Sequence, residues 1–209
     1  MQEIYCATVT DNVDPDGLNR VKVSKIGDKN AVSDWAFLLM PSASGDAGVS
    51  SIPDVGSQVL VVSVDGSGVT QAVLGHIWSN AELPPKTEEN ANADLNKDGK
   101  NTLRFIKSRA GSQIILDDSE DAEKIKFISS DGKTRLEFNM ADNLTLLETD
   151  HDQSLNAKGD ISIQAEEIII TSEKDFDVTA GTYQAAFDKN FDIKSGGDMN
   201  IKGDSISLS

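Results

Sequence analysis

Through the last third of the chain, apolar residues return in couplets separated by one position: Ile161/Ile163, Ile168/Ile170, Phe176/Val178, Tyr183/Ala185, Phe191/Ile193, Met199/Ile201 and Ile206/Leu208. Alternation with a period of two is the pattern of a strand with one buried face. The couplets recur every seven or eight residues, and the runs between them are rich in Gly, Asp, Ser and Lys, which is turn chemistry. Strands this short bury little alone, so repetition at a fixed period predicts a stacked, fibre-like architecture. Upstream the couplets are more widely spaced: Leu103/Phe105, Ile114/Leu116, Ile125/Phe127, Leu136/Phe138 and Leu144/Leu146. Ser130-Asp131-Gly132-Lys133 and similar clusters separate them, which predicts hairpin-like turns that narrow into a regular fibre.

The first 80 residues carry a different pattern. Strand-like runs occupy 4–10, 20–24, 35–40, 58–64 and 71–78. Asp14-Pro15-Asp16-Gly17 punctuates the first two as a hairpin turn, where Pro presets φ and Gly permits positive φ. Five short strands without helical periodicity predict a small closed barrel of the OB type. Residues 79–102 are polar and pattern-free. The expected organisation is a barrel over 1–80, a linker over 81–102 and a needle over 103–209.

The repeat also sets a chain number. A single-chain β-helix needs roughly 20 residues per coil, and seven or eight residues with two apolar positions cannot close one. Three chains wound together can, each supplying one wall of a triangular prism. The inward residues Phe176, Val178, Phe191, Ile193, Met199 and Ile201 would then meet as the trimer core. Backbone groups pair between chains in such a prism, leaving few free edges. No proline occurs from Lys86 to Ser209, as strands that need every N–H for a ladder require. The predicted fold class is all-β: an OB barrel followed by an intertwined triple-stranded β-helix in a homotrimer. A single-chain β-sandwich or β-roll is the other arrangement the pattern allows.

Composition narrows the partners. Net charge is −16, with four basic and ten acidic residues in 1–85 and fifteen and twenty-five in 86–209. Neither half offers the basic groove that nucleic acid requires, and an anionic membrane surface is an equally poor partner. An apolar content of 38% suits a thin core. The single cysteine, Cys6, excludes an intrachain disulfide, fits a reducing cytoplasm and reads as a buried small residue of the first strand. The N-terminus shows no apolar signal region, and no run approaches the ~20 apolar residues of a membrane span.

Candidate chemistry is sparse. Asp94-Leu95-Asn96-Lys97-Asp98-Gly99 matches the first half of a calcium loop, but Phe105 stands where the bidentate carboxylate belongs. His76 lies on a predicted barrel strand, and His151, between Asp150 and Asp152, reads as a solvated turn residue. The acidic run at 117–123 lies in one turn and offers no opposed carboxylate pair, so it reads as a solvated loop. Nucleophile-elbow, zinc-helix and Walker motifs are missing. The expectation is a protein with no catalytic, cofactor or metal residues.

Several segments are specific. Ala7-Thr8-Val9-Thr10-Asp11-Asn12, then Asp14-Pro15-Asp16-Gly17-Leu18-Asn19-Arg20-Val21-Lys22-Val23, resembles the barrel opening of the VgrG and phage tail-spike family. Trp35-Ala36, Met40-Pro41-Ser42-Ala43, Ile52-Pro53-Asp54-Val55-Gly56 and Ala72-Val73-Leu74-Gly75-His76-Ile77-Trp78 continue it in the same order. Ser108-Arg109-Ala110-Gly111-Ser112-Gln113 resembles the start of that family's triangular needle. The resemblance implies a non-enzymatic homotrimeric spike at the baseplate tip of a contractile injection system, such as a phage tail, a tailocin or a type VI-like machine. It implies a baseplate hub protein below and a PAAR-type tip protein above, with the target membrane met only by mechanical puncture. Assembly in the cytoplasm, incorporation into a phage-tail-like particle and ejection to the target follow. The chain opens directly on the barrel and has no room for a lysozyme insert, so a stand-alone spike is expected; a fragment of a VgrG fusion or an adhesin-like β-roll are the alternatives. No His-x-His pair ends the chain, so Ile206 and Leu208 are expected to dock the tip protein.

Overall fold

A computed structural model describes residues 3–28, 31–64, 69–87 and 99–205, and every regular element among them is a strand. The chain divides into two compact units, Met1–Ser154 and Leu155–Ser209.

The first unit opens on β1 (Ile4–Asp11), β2 (Lys22–Lys25), β3 (Phe37–Leu38), β4 (Ala43–Ser44), β5 (Ala47–Gly48), β6 (Gln58–Ser63) and β7 (Gln71–His76). Five of these form one sheet in the order β2-β1-β6-β7-β3, antiparallel except for the β3–β7 pair. Val21 and Ala36 exchange both backbone hydrogen bonds, at 3.0 and 2.8 Å, and this bridge brings the β2 and β3 edges together. The core is small: Ala7, Val9, Val21, Val23, Ala36, Val59, Val61 and Val73 are almost fully buried. Strict alternation in β6, where Val59, Val61 and Ser63 point inward, shows how one strand supplies one wall. Irregular register at Val9/Asp11 and at Leu60/Val61 bends the sheet enough to curl it.

Cys6 departs from its expected place. The apolar run from Ile4 to Ala7 hides its own phase, and β1 turns Ala7 and Val9 inward, so Cys6 is exposed. The segment after Met40, expected only to stop a strand, carries the small β4–β5 hairpin.

The rest of the first unit is a meander of β8 (Leu103–Lys107), β9 (Gln113–Asp117), β10 (Lys124–Ile128), β11 (Thr134–Asn139) and β12 (Leu144–Thr149), each antiparallel to the next. Its turns use positive φ where the chain reverses, at Gly111, Asp121, Gly132 and Asn143. Gly111 also lies against Ser130, whose carbonyl oxygen would be 3.2 Å from an added Cβ. Pairing fixes the faces. One face carries the row Ile106–Ile114–Phe127–Leu136–Leu147 and beside it Arg104–Leu116–Ile125–Phe138–Thr145. The other carries Phe105–Ile115–Lys126–Glu137–Leu146 between two largely polar rows. The couplets of β8 and β12 therefore face away from those of the three central strands.

Burial in the meander does not follow polarity, although Ile115 and Ile128 are buried. Gln113, Asp117, Lys126, Glu137 and Asn139 are buried, whereas Ile106, Ile114, Leu116, Phe127, Phe138 and Leu147 are between 38% and 70% exposed. Lys126 and Glu137 form an ion pair at 3.7 Å, and Asn139 donates to Glu137 Oε1 at 3.2 Å.

In the second unit no described residue belongs to a strand, and all of them are exposed. The backbone nevertheless keeps strict time. It bends at 158–159, 166, 173–174, 181, 188–189, 196–197 and 204, leaving runs of six residues between bends.

Candidate functional site

The periodic runs of the second unit place every couplet alike. In 160–165, 167–172, 175–180, 182–187, 190–195 and 198–203 the apolar residues of the couplet hold positions two and four. Two of the bends are fixed by serine: Ser172 Oγ donates to the Asp175 carbonyl at 2.7 Å, and Ser195 Oγ donates to the Gly197 carbonyl at 3.1 Å. Phe176, Val178, Phe191, Ile193, Met199 and Ile201 are all more than half exposed within the single chain. The Phe187 and Phe191 rings stack at 4.6 Å across the bend at 188–189 and so join neighbouring runs. Phe187 was not in the expected core, although it shares the parity of Tyr183 and Ala185 in its run. Ile206 and Leu208 lie outside the described residues.

On the barrel, the turn after β1 is built around one carboxylate. Asp14 Oδ2 accepts from the backbone N–H of Leu18 and Arg20 and from Arg20 Nε, at 3.1, 3.1 and 2.9 Å. Its Oδ1 accepts from the Asp16 N–H and from the Arg20 guanidinium, at 3.1 and 2.7 Å. The Arg20 hydrogen bonds, foremost, hold the Asp14 carboxyl far below the usual carboxylate range, and the same contacts push the guanidinium further up. Left-handed backbone at Gly17 and Asn19 lets the chain fold over this centre. Arg20 and Lys22 both approach the face of the Trp35 ring, at 6.0 and 5.0 Å from its centroid.

Beside this turn, Leu18, Met40 and Val49 border an open hollow of about 400 Å³ under the β4–β5 hairpin. Leu39, Val49 and Val55 are also exposed. Arg109, in the β8–β9 turn, pairs with Asp54 of this loop.

The remaining candidates are dispersed. His76 ends β7 and is exposed. His151 is exposed, and its Nε2 meets Oδ2 of Asp131, in the β10–β11 turn, at 2.9 Å. Hydrogen bonds from Ser129 Oγ, from His151 and from the Lys133 N–H hold the Asp131 carboxyl well below its ordinary range. The acidic run does not lie wholly in a loop: Asp117 is a buried end of β9, and Asp118 pairs with Arg104 at 2.6 Å. Asp94, Asn96 and Asp98 of the calcium-like loop lie outside the described residues. Among the described residues no group of three or more His, Cys, Asp or Glu is placed to hold a metal ion, and no helix is long and apolar enough to cross a membrane.

Comparison with known proteins bears on the barrel. Residues 5–78 match a family model described as the type VI secretion system and phage-baseplate injector OB domain. The match begins in β1 and ends just beyond β7, enclosing the closed sheet and the Asp14-centred turn. No curated protein matches the chain. The family is a structural one, a part of baseplate and spike assemblies. Over residues 5–78, this chain is thus similar to the injector OB domain of type VI secretion systems and phage baseplates.

Proposed function

We propose that this protein is the central spike of a contractile injection system, a homotrimer whose OB barrels sit on a baseplate hub and whose C-terminal repeats wind into a β-prism needle. The observation that carries this reading is the set of six-residue runs with exposed apolar residues at positions two and four. An isolated run of that kind has neither a ladder for its backbone nor cover for its side chains. Three equivalent chains supply both, because each run lies beside its counterparts and the couplets converge on the axis.

The mechanism is mechanical. Sheath contraction drives the spike, and the needle transmits force in proportion to its stiffness, which closed ladders and an apolar axis provide. The target membrane is punctured rather than bound, in keeping with the net charge of −16. The apolar end at Ile206 and Leu208 carries a PAAR-type tip protein, and the loop around 41–57 meets the hub. Sedimentation equilibrium of the purified chain is expected to give three times the 22.4 kDa of one copy. A mass of one copy at micromolar concentration overturns the reading.

A further inference from the structure

Across the meander runs one uninterrupted apolar row, Ile106–Ile114–Phe127–Leu136–Leu147, one residue from each strand. Ile106, Ile114, Phe127 and Leu147 are 70%, 38%, 42% and 54% exposed. β9, β10 and β11 are paired on both sides, and among the described residues only the outer edges of β8 and β12 stay open, so the row itself lacks cover rather than hydrogen bonds. A contiguous apolar stripe on an otherwise acidic protein marks an interaction surface. The opposite face needs no partner, because its Lys126–Glu137 pair and Asn139 are buried within the chain itself.

We infer that this face is the contact by which three copies of the chain first associate, and that the needle repeats pair only afterwards. The inference rests on the trimeric reading above and names the surface that nucleates it. Three features single out further copies as the occupant. Chains of net charge −16 repel one another, and a row free of charge is a surface that can meet its own copy without that penalty. Arg104, at the edge of the face, is already neutralised by Asp118 at 2.6 Å. Residues 150–154 separate β12 from the first repeat residue, Leu155; five residues span at most about 18 Å. A copy that supplies strands to the needle therefore brings its own meander within reach. The order of events follows from the ladders: the meander forms its own within one chain, whereas no ladder exists among the described residues of 155–205.

The test uses the full chain with Phe127→Asp, Leu147→Asp and, in the needle, Ile193→Asp, each followed by sedimentation mass and hydrogen exchange. Because Phe127 and Leu147 are exposed, both variants are expected to keep protected meander amides while falling from trimer to monomer. Ile193→Asp is expected to remain trimeric, with faster exchange confined to 155–205. Should Phe127→Asp lose meander protection, Leu147→Asp on the outer strand decides. Trimeric Leu147→Asp with Phe127→Asp also trimeric overturns the inference and assigns the face to another occupant, such as the same chain's own repeats or a different protein. A monomeric Ile193→Asp overturns it by placing the first association in the needle. A monomeric unsubstituted chain removes the trimeric reading itself, an outcome distinct from the other two.

Discussion

Asp14 concentrates more hydrogen bonds than any other side chain described above, and its charge is what they require. Neutral Asn keeps the shape but loses one acceptor oxygen and the pairing with Arg20. Because the folded carboxyl lies far below its ordinary value of 3.8, the unfolded chain takes up the proton first as pH falls. The contribution of Asp14 is therefore complete above about pH 5 and declines as pH drops through the 3.8 region towards the folded value. Asp14→Asn is expected to be less stable than the natural chain at pH 7, with a smaller difference at pH 3. Urea unfolding at the two pH values checks this; an equal difference at both contradicts it. The string Asp-Pro-Asp-Gly announces a turn from sequence alone, since φ preferences are local. That Asp14 closes the turn as an acceptor for Arg20 depends on a chain reversal six residues long, which no local rule encodes.

At the scale of the strand, Ile114 and Ile115 show what periodicity conveys and where it fails. Ile114-Ile115-Leu116 is continuously apolar, so alternation cannot tell which residues face inward. Pairing with β10 settles it: Ile115 is fully buried between Phe105 and Lys126, and Ile114 is 38% exposed. Ile115→Ala is expected to destabilise the first unit by ~2–5 kcal/mol, as a cavity-forming core truncation does. Ile114→Ala should cost less under conditions that keep the chain monomeric. Equal losses in denaturant melts would contradict the assignment of faces. Cys6 fails to read from sequence for the same reason, since Ile4-Tyr5-Cys6-Ala7 has no polar residue to set the phase. The bends of the second unit were legible because each couplet is bounded by polar residues, as at Ser172 and Asp175. Hydrogen bonds such as Asp131–His151, twenty positions apart, were not, because they depend on the β10–β11 turn meeting the segment after β12.

For the whole molecule, the proposed arrangement of three identical chains around one axis turns a single substitution into three. Ile201 holds position four of the run 198–203. In the proposed prism, Ile201→Asp sets three carboxylates at one level without a compensating cation. An uncompensated buried charge costs about 3–5 kcal/mol, so the far end of the needle should fray and the trimer should melt earlier. Calorimetry together with hydrogen exchange over 190–205 checks it, and an unchanged melt counts against an axial place for Ile201.

On the trimeric reading, the exposed couplets also govern the life of a chain before it meets its copies. Ile168-Ile169-Ile170 is a β-branched run with all three side chains more than half exposed, the kind of segment that seeds cross-β aggregation. It is bracketed by Glu166 and Glu167 on one side and Glu173 on the other. Such flanking charges act as gatekeepers, keeping hydrophobic strands from joining out of register. In the proposed trimer this acidity has a further use: it preserves solubility during the interval between synthesis and assembly, when the repeat is most sticky and least covered.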